Sequence, residues 1–290
     1  MILPARLPYL RQLRRIATCT VSEWFDHRAS SKGAALAFYT LFSMAPILVL
    51  VIAIAGLFYG QQAAQGELLA QLKGLVGNQG ADAIQLVLAG ARDRDQGRWA
   101  TLLASALLLF GATSVFAELK ASLDEIWQVP RPLQGSVWDA LRTRLLSFGL
   151  VLVLAFLLMV SLVASAALAL LERYWSGLKA VYLLSLLADG LGFCVIAVLF
   201  GVIYKTLPRV RLSWRDVAIG ALATAALFNV GKYAIGAYIG NSGVASSFGA
   251  AGSMVALLLW VYYSAQIFFL GAEFARQYAL QLGSLRPPSE

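Results

Sequence analysis

Charged and polar side chains are scarce in this sequence, and a few fall where an apolar run is otherwise unbroken. In FNVGKYAIGAYIG, residues 228–240, Asn229 and Lys232 stand among aromatic, aliphatic and small residues. Asp189 interrupts a second apolar run. Tyr39, Ser43 and Pro46 fall at i, i+4 and i+7 in a third, and Tyr262, Gln266 and Glu273 at i, i+4 and i+11 in a fourth. At 3.6 residues per turn each set shares one helix face. An ionisable group inside a bilayer costs about 2.5–3.5 kcal/mol even on the gentler insertion scales, so it seeks a partner or a wet cavity. Such groups could bind a headgroup, an anion or a coupling ion. Pro46 cannot donate to the Phe42 carbonyl, which predicts a kink of the kind transporters use to expose backbone oxygen.

The elements that carry these residues are membrane helices. The chain of 290 residues is 60% hydrophobic and 13% charged, with a mean hydropathy of +0.73. An ordinary soluble domain is about 25% charged. Six runs approach or exceed the ~20 residues that span a bilayer as helix: 33–59, 99–117, 145–170, 182–204, 216–239 and 248–273. The reading is an all-α, polytopic membrane protein. Residues 1–32 form a cytoplasmic amphipathic segment, 33–273 the membrane domain, and 274–290 a cytoplasmic tail.

Lys and Arg set the orientation. Sixteen fall in the N-terminal segment, the loops after spans 2 and 4, and the tail, against six on the opposite side. The positive-inside rule puts both termini in the cytoplasm. The net charge of +8 then reads as topology and contact with anionic lipid, not nucleic-acid binding. Leu10, Leu13, Ala17, Val21 and Trp24 give the N-terminal segment an apolar stripe, for a membrane surface or for the protein itself. The outer loop 60–98 carries two apolar stripes around GNQG, predicting a helical hairpin.

Asp189 and Lys232 each lie about seven residues from the outer end of consecutive spans, roughly 10 Å deep, so an ion pair between them is geometrically open. Lys232 could instead snorkel to the interface. Gly236 and Gly240 form a small-residue packing step, internal or between protomers. Glu273 falls at the inner boundary, within reach of Lys205 or Arg276. Cys19, Cys194 and a single histidine, His27, supply no disulfide framework or metal signature, and His27 reads as a juxtamembrane surface residue. No catalytic residue, metal or cofactor is expected.

Four stretches, AALAFYTLFSMAPIL, ELKASLDEIWQVPRP, YKTLPRVRLSWRDVAIGALATAALFNVGKYAIGAYIG and SSFGAAGSMVALLLWVYYSAQIFFLGAEFA, resemble the YihY/BrkB family of bacterial inner-membrane proteins. Asp124 stands where the family pattern has Asn, and Phe248 where Tyr is usual. The resemblance implies an envelope role, with lipid handling or transport among the readings, and marks Lys232 and Glu273 through the GKY and GAEF motifs. The family once bore the label ribonuclease BN. Metal-dependent RNA cleavage needs clustered carboxylates or histidines, and Asp124, Glu125 and Asp139 read as helix surface. The expectation is a non-enzymatic protein that moves a lipid or other amphipathic solute through a polar cavity. Its partners would be membrane lipids, with a homo-oligomer or an envelope protein also open. The alternative is a non-transporting anchor or assembly partner.

Overall fold

The structure is a computed structural model that describes residues 7–92, 114–129, 178–210, 212–241 and 251–286, with isolated positions at 149, 153, 156, 157, 160 and 248. Seven helical stretches carry the description: α1 (Leu7–Asp26), α2 (Ala29–Tyr59), α3 (Gln61–Arg92), α4 (114–126), α5 (Leu178–Thr206), α6 (Trp214–Asn241) and α7 (Gly252–Gln281). Among the described residues three stretches are long and apolar enough to cross a bilayer: Leu186–Thr206, Trp214–Ile239 and Gly252–Gln281. Helices are the form such runs take, because lipid offers no partner for an open backbone group. The expected spans 99–117 and 145–170 lie mostly outside the described residues.

α7 is the hub. It packs against α6, α2, α1 and α3, while α5 packs on α6. The α6–α7 seam is close because small residues line it. A Cβ at Gly220 would sit 2.3 Å from the Ala275 Cβ, and one at Gly271 would sit 1.9 Å from Thr224 Oγ1. Without Cβ atoms at those positions the two backbones approach, which is how helices associate without a hydrophobic driving force. At Gly236, in the expected packing step, a Cβ would meet nothing within 4 Å among the described residues.

Tyr204 ties three helices together. Its hydroxyl donates to the Phe268 carbonyl at 2.7 Å and lies 3.1 Å from Thr224 Oγ1. The apolar exterior is the complement of this core. Phe38, Phe42, Leu186, Leu187, Val198 and Val230 are all exposed, as lipid-facing residues are.

α2 is one helix through position 46. The segment expected as a hairpin is α3, which packs on α2 and α7 and buries Leu68, Val76, Ile84 and Leu88. The turn signal coincides with a break at Gly77, where φ is 76°. α1 is amphipathic as expected, but its buried stripe is rotated. Ile16 and Thr20 face the bundle, whereas Ala17 is exposed and Val21 is 48% exposed. The helix packs through the face that carries Thr20, because that face also delivers Glu23 and His27 to α7.

Candidate functional site

The polar centre of the described structure forms where α1 turns into α2. α1 ends at Asp26, and Arg28 adopts a left-handed conformation with φ 50° that reverses the chain into α2. The reversal directs His27 inward. Its Nδ1 lies 2.5 Å from Oε1 of Glu273, and its Nε2 lies 3.7 Å from Oε2 of Glu23, one helical turn earlier. Arg276, one turn beyond Glu273 on α7, donates from Nη1 to Glu23 Oε2 at 3.1 Å. The four side chains alternate between acceptor and donor across the α1–α7 contact.

Glu273 has no solvent exposure, and its second oxygen, Oε2, is buried without a hydrogen-bond partner. Two turns back on the same face, Gln266 has both side-chain polar atoms buried and unpartnered. Gly33 on α2 makes room for it, because a Cβ there would sit 2.0 Å from Gln266 Nε2. Trp24 Nε1 is a further buried, unpartnered donor. Buried polar groups are normally satisfied, so Glu273, which meets His27, and Gln266, which meets Gly33, form a polar seam where α7 faces α1 and α2, with spare bonding capacity.

The surrounding contacts hold this end of the bundle. Lys32 pairs with Glu125 at 2.8 Å and also donates to the His27 carbonyl. Asp124 accepts the Arg209 backbone N–H at 3.0 Å, so its carboxylate fixes the α5–α6 connection. Asp216, buried at the start of α6, accepts from Ser284 N at 3.0 Å and Ser284 Oγ at 2.5 Å. A cleft of about 520 Å³ opens beside it, lined by Ser213, Arg215, Asp216, Tyr278 and Ser284.

The residues singled out from sequence divide between this centre and the bundle at large. Glu273 and Gln266 belong to the seam. Tyr262 and Tyr39 are half-buried. Ser43 is fully buried and donates to the Thr40 carbonyl at 3.2 Å. Asn229 Nδ2 turns back to the Ala225 carbonyl at 3.3 Å. Asp189 is exposed, and Lys232 Nζ lies 5.0 Å from the centroid of the Tyr233 ring. Among the described residues no ion pair joins Asp189 to Lys232.

Two expectations need correction. Glu273 is met by His27, while Arg276 turns to Glu23, and Lys205 donates to the Leu212 carbonyl and lies over the Trp214 ring. His27 is not a surface residue, since its side chain is 14% exposed and points into the α1–α7 contact. The missed signal was Glu23-x-x-x-His27, an i, i+4 pair on the polar edge of an amphipathic helix.

Apolar helices of spanning length around a buried polar seam define a multi-pass α-helical protein of the inner (plasma) membrane, since outer-membrane spans are β-barrels. The chain matches the family described as virulence factor BrkB over residues 20–289 and belongs to that family of membrane proteins, the UPF0761/YihY–BrkB family. It is 27% identical to a UPF0761 membrane protein of Alkalilimnicola ehrlichii over 267 residues, covering 89% of this chain and 57% of that protein. A UPF0761 membrane protein of Verminephrobacter eiseniae is 28% identical over 259 residues, covering 83% of this chain and 56% of the relative. One from Pseudomonas aeruginosa is 28% identical over 251 residues, covering 84% and 58%. The chain thus spans little more than half the length of these relatives. Each is described as a membrane protein and none as an enzyme. No solved structure matches the chain.

Proposed function

We propose that the protein moves a lipid or other amphipathic solute through the membrane, using the seam between α1, α2 and α7 as the polar part of the path. The supporting observation is Glu273, a carboxyl group with no exposure and one unpartnered oxygen on an apolar helix of spanning length. A group this expensive to bury acts in ion and substrate pathways more often than in packing. Gln266, two turns along the same face, extends the polar surface toward the membrane interior. With no nucleotide-binding motif in the sequence, the movement is passive, ion-coupled or driven by a partner. Reconstitution in liposomes tests the reading. Wild-type protein should accelerate transbilayer movement of a fluorescent phospholipid, with or without an imposed pH gradient, and Glu273→Gln should slow it several-fold. Equal rates in protein-containing and empty vesicles under all gradients would sink autonomous transport.

A second reading is a non-transporting anchor or assembly partner. It is favoured by the open space at Gly236, whose neighbours Tyr233 and Tyr238 are exposed, so that among the described residues no helix covers this smooth step on α6. Disulfide trapping through Gly236→Cys in native membranes tests it, and absence of any cross-linked species counts against it.

A further inference from the structure

We propose that Glu23, His27 and Glu273 form a binding site for a divalent transition-metal ion that fastens α1 to α7. One ligand atom from each residue lies within 4.8 Å of the others. Glu23 and His27 are spaced i, i+4, which presents both side chains on one face, and Oε2 of Glu23 is 3.7 Å from Nε2 of His27. Glu273 faces them from another helix, and its Oε2 is fully buried and has no partner. That oxygen is the independent sign of a missing ligand, because a buried acceptor left unpaired costs about 1–3 kcal/mol and native structures fill such positions.

The donor set selects the ion. One imidazole nitrogen with two carboxylates suits Zn²⁺, Mn²⁺, Fe²⁺ or Co²⁺, whereas Mg²⁺ and Ca²⁺ prefer oxygen throughout. Bonds of about 2.1 Å in a tetrahedron place donors about 3.4 Å apart. His27 turns Nδ1 to Glu273 at 2.5 Å and Nε2 to Glu23 at 3.7 Å, and one ion takes only one ring nitrogen, so binding would break the His27–Glu273 hydrogen bond and turn the ring while the three donors, already within 4.8 Å, close on the ion. Charge agrees with this choice. Two carboxylates and Arg276 leave one negative charge beside a neutral imidazole, and Arg276 keeps its place as an outer partner of Glu23 at 3.1 Å. Only one histidine is supplied, so water or the second Glu273 oxygen would complete the shell. The ion would fix the angle at which α1 leaves the bundle. It would thereby fix the exposed apolar surface of Val21 and Phe25, 48% and 67% exposed.

The site shares Glu273 with the transport reading but is tested separately from it, because binding is measured directly and not through lipid movement. The full chain is purified through a tag free of histidine, stripped with chelator, and titrated with Co²⁺ and Zn²⁺. The expected result is one ion per chain, a visible Co²⁺ band bleached by Zn²⁺, and a higher unfolding temperature with metal. Glu23→Gln and His27→Gln should each weaken binding at least tenfold, in line with losses at metal-site partners of about 10–100-fold. His27 is the only histidine in the chain. Its modification by diethylpyrocarbonate therefore reports the site in unaltered protein, and Zn²⁺ should protect it. This readout decides the matter if a variant fails to fold. No binding, or binding that neither shields His27 nor responds to Glu23→Gln, overturns the proposal.

Discussion

His27 Nδ1 and Glu273 Oε1 lie 2.5 Å apart although the residues are 246 positions distant in sequence. The contact joins the α1–α2 reversal to the far end of α7. Removing the imidazole would leave a buried carboxyl group with neither oxygen partnered. His27→Ala should therefore destabilise metal-free protein by about 1–3 kcal/mol, the usual penalty for an orphaned buried polar group. Adding Glu273→Leu should recover much of that loss, because no polar group is then stranded. Unfolding of both single variants and the double variant in detergent measures the coupling. Additive effects would show that the two side chains do not sustain one another.

The α6–α7 seam makes a sharper steric prediction. Gly271→Ala would put a methyl group 1.9 Å from Thr224 Oγ1 and 2.8 Å from the Thr224 Cβ. Neither neighbour can yield without moving α6, and overpacking of this kind costs about 1–3 kcal/mol. Gly236→Ala meets nothing within 4 Å and should be neutral or slightly stabilising as judged from helix propensity. Folded yield and thermal unfolding of the two variants, side by side, distinguish a packing glycine from an exposed one. A Gly236→Ala loss as large as that of Gly271→Ala would mean that α6 packs at Gly236 on something beyond the described residues.

Asp216 predicts a local effect at the same end of the bundle. It is buried and takes two hydrogen bonds from Ser284, and a Cβ at Gly283 would meet its Oδ1 at 2.3 Å. The carboxylate in the first turn of α6 also favours the positive end of that helix. Asp216→Ala should cost about 1–2 kcal/mol and release the segment after α7. Limited proteolysis should then cut near residue 284 faster than in wild type, and an unchanged cleavage rate would show that the latch does not hold the tail.

The sequence made the membrane class readable because bilayer length and hydropathy depend only on local composition. The apolar stretches Leu186–Thr206 and Trp214–Ile239 overlap the runs 182–204 and 216–239 that hydropathy alone marks. Glu273 and Gln266 were legible as polar groups on an apolar face. Their partners were not, because which helix meets α7 is a matter of tertiary packing. His27 looked like an interfacial residue as long as α1 was considered alone. Only the reversal at Arg28, a left-handed residue without glycine to announce it, brings the ring under α7. Gly236 shows the same limit. Spacing identifies a step that another helix can use but not which helix uses it, and among the described residues the α6–α7 seam closes on Gly220-x-x-x-Thr224 and Gly271-x-x-x-Ala275, small-residue steps of the same spacing.

Asp189 and Lys232 supply the last test, since equal depth suggested a pair. Asp189 is exposed on α5, and the Lys232 ammonium lies over the ring of its own neighbour, Tyr233. An ammonium within about 6 Å of a ring face gains about 0.5–1 kcal/mol at an exposed site, enough to hold the side chain without a carboxylate. Asp189→Asn and Lys232→Gln should then be additive within about 0.3–0.5 kcal/mol, as independent sites are. Tyr233→Leu, by contrast, should couple to Lys232→Gln. A double-mutant cycle on unfolding in detergent reads both. Strong coupling between Asp189 and Lys232, with none to Tyr233, would mean that in the bilayer the lysine leaves the ring for the carboxylate across the α5–α6 contact.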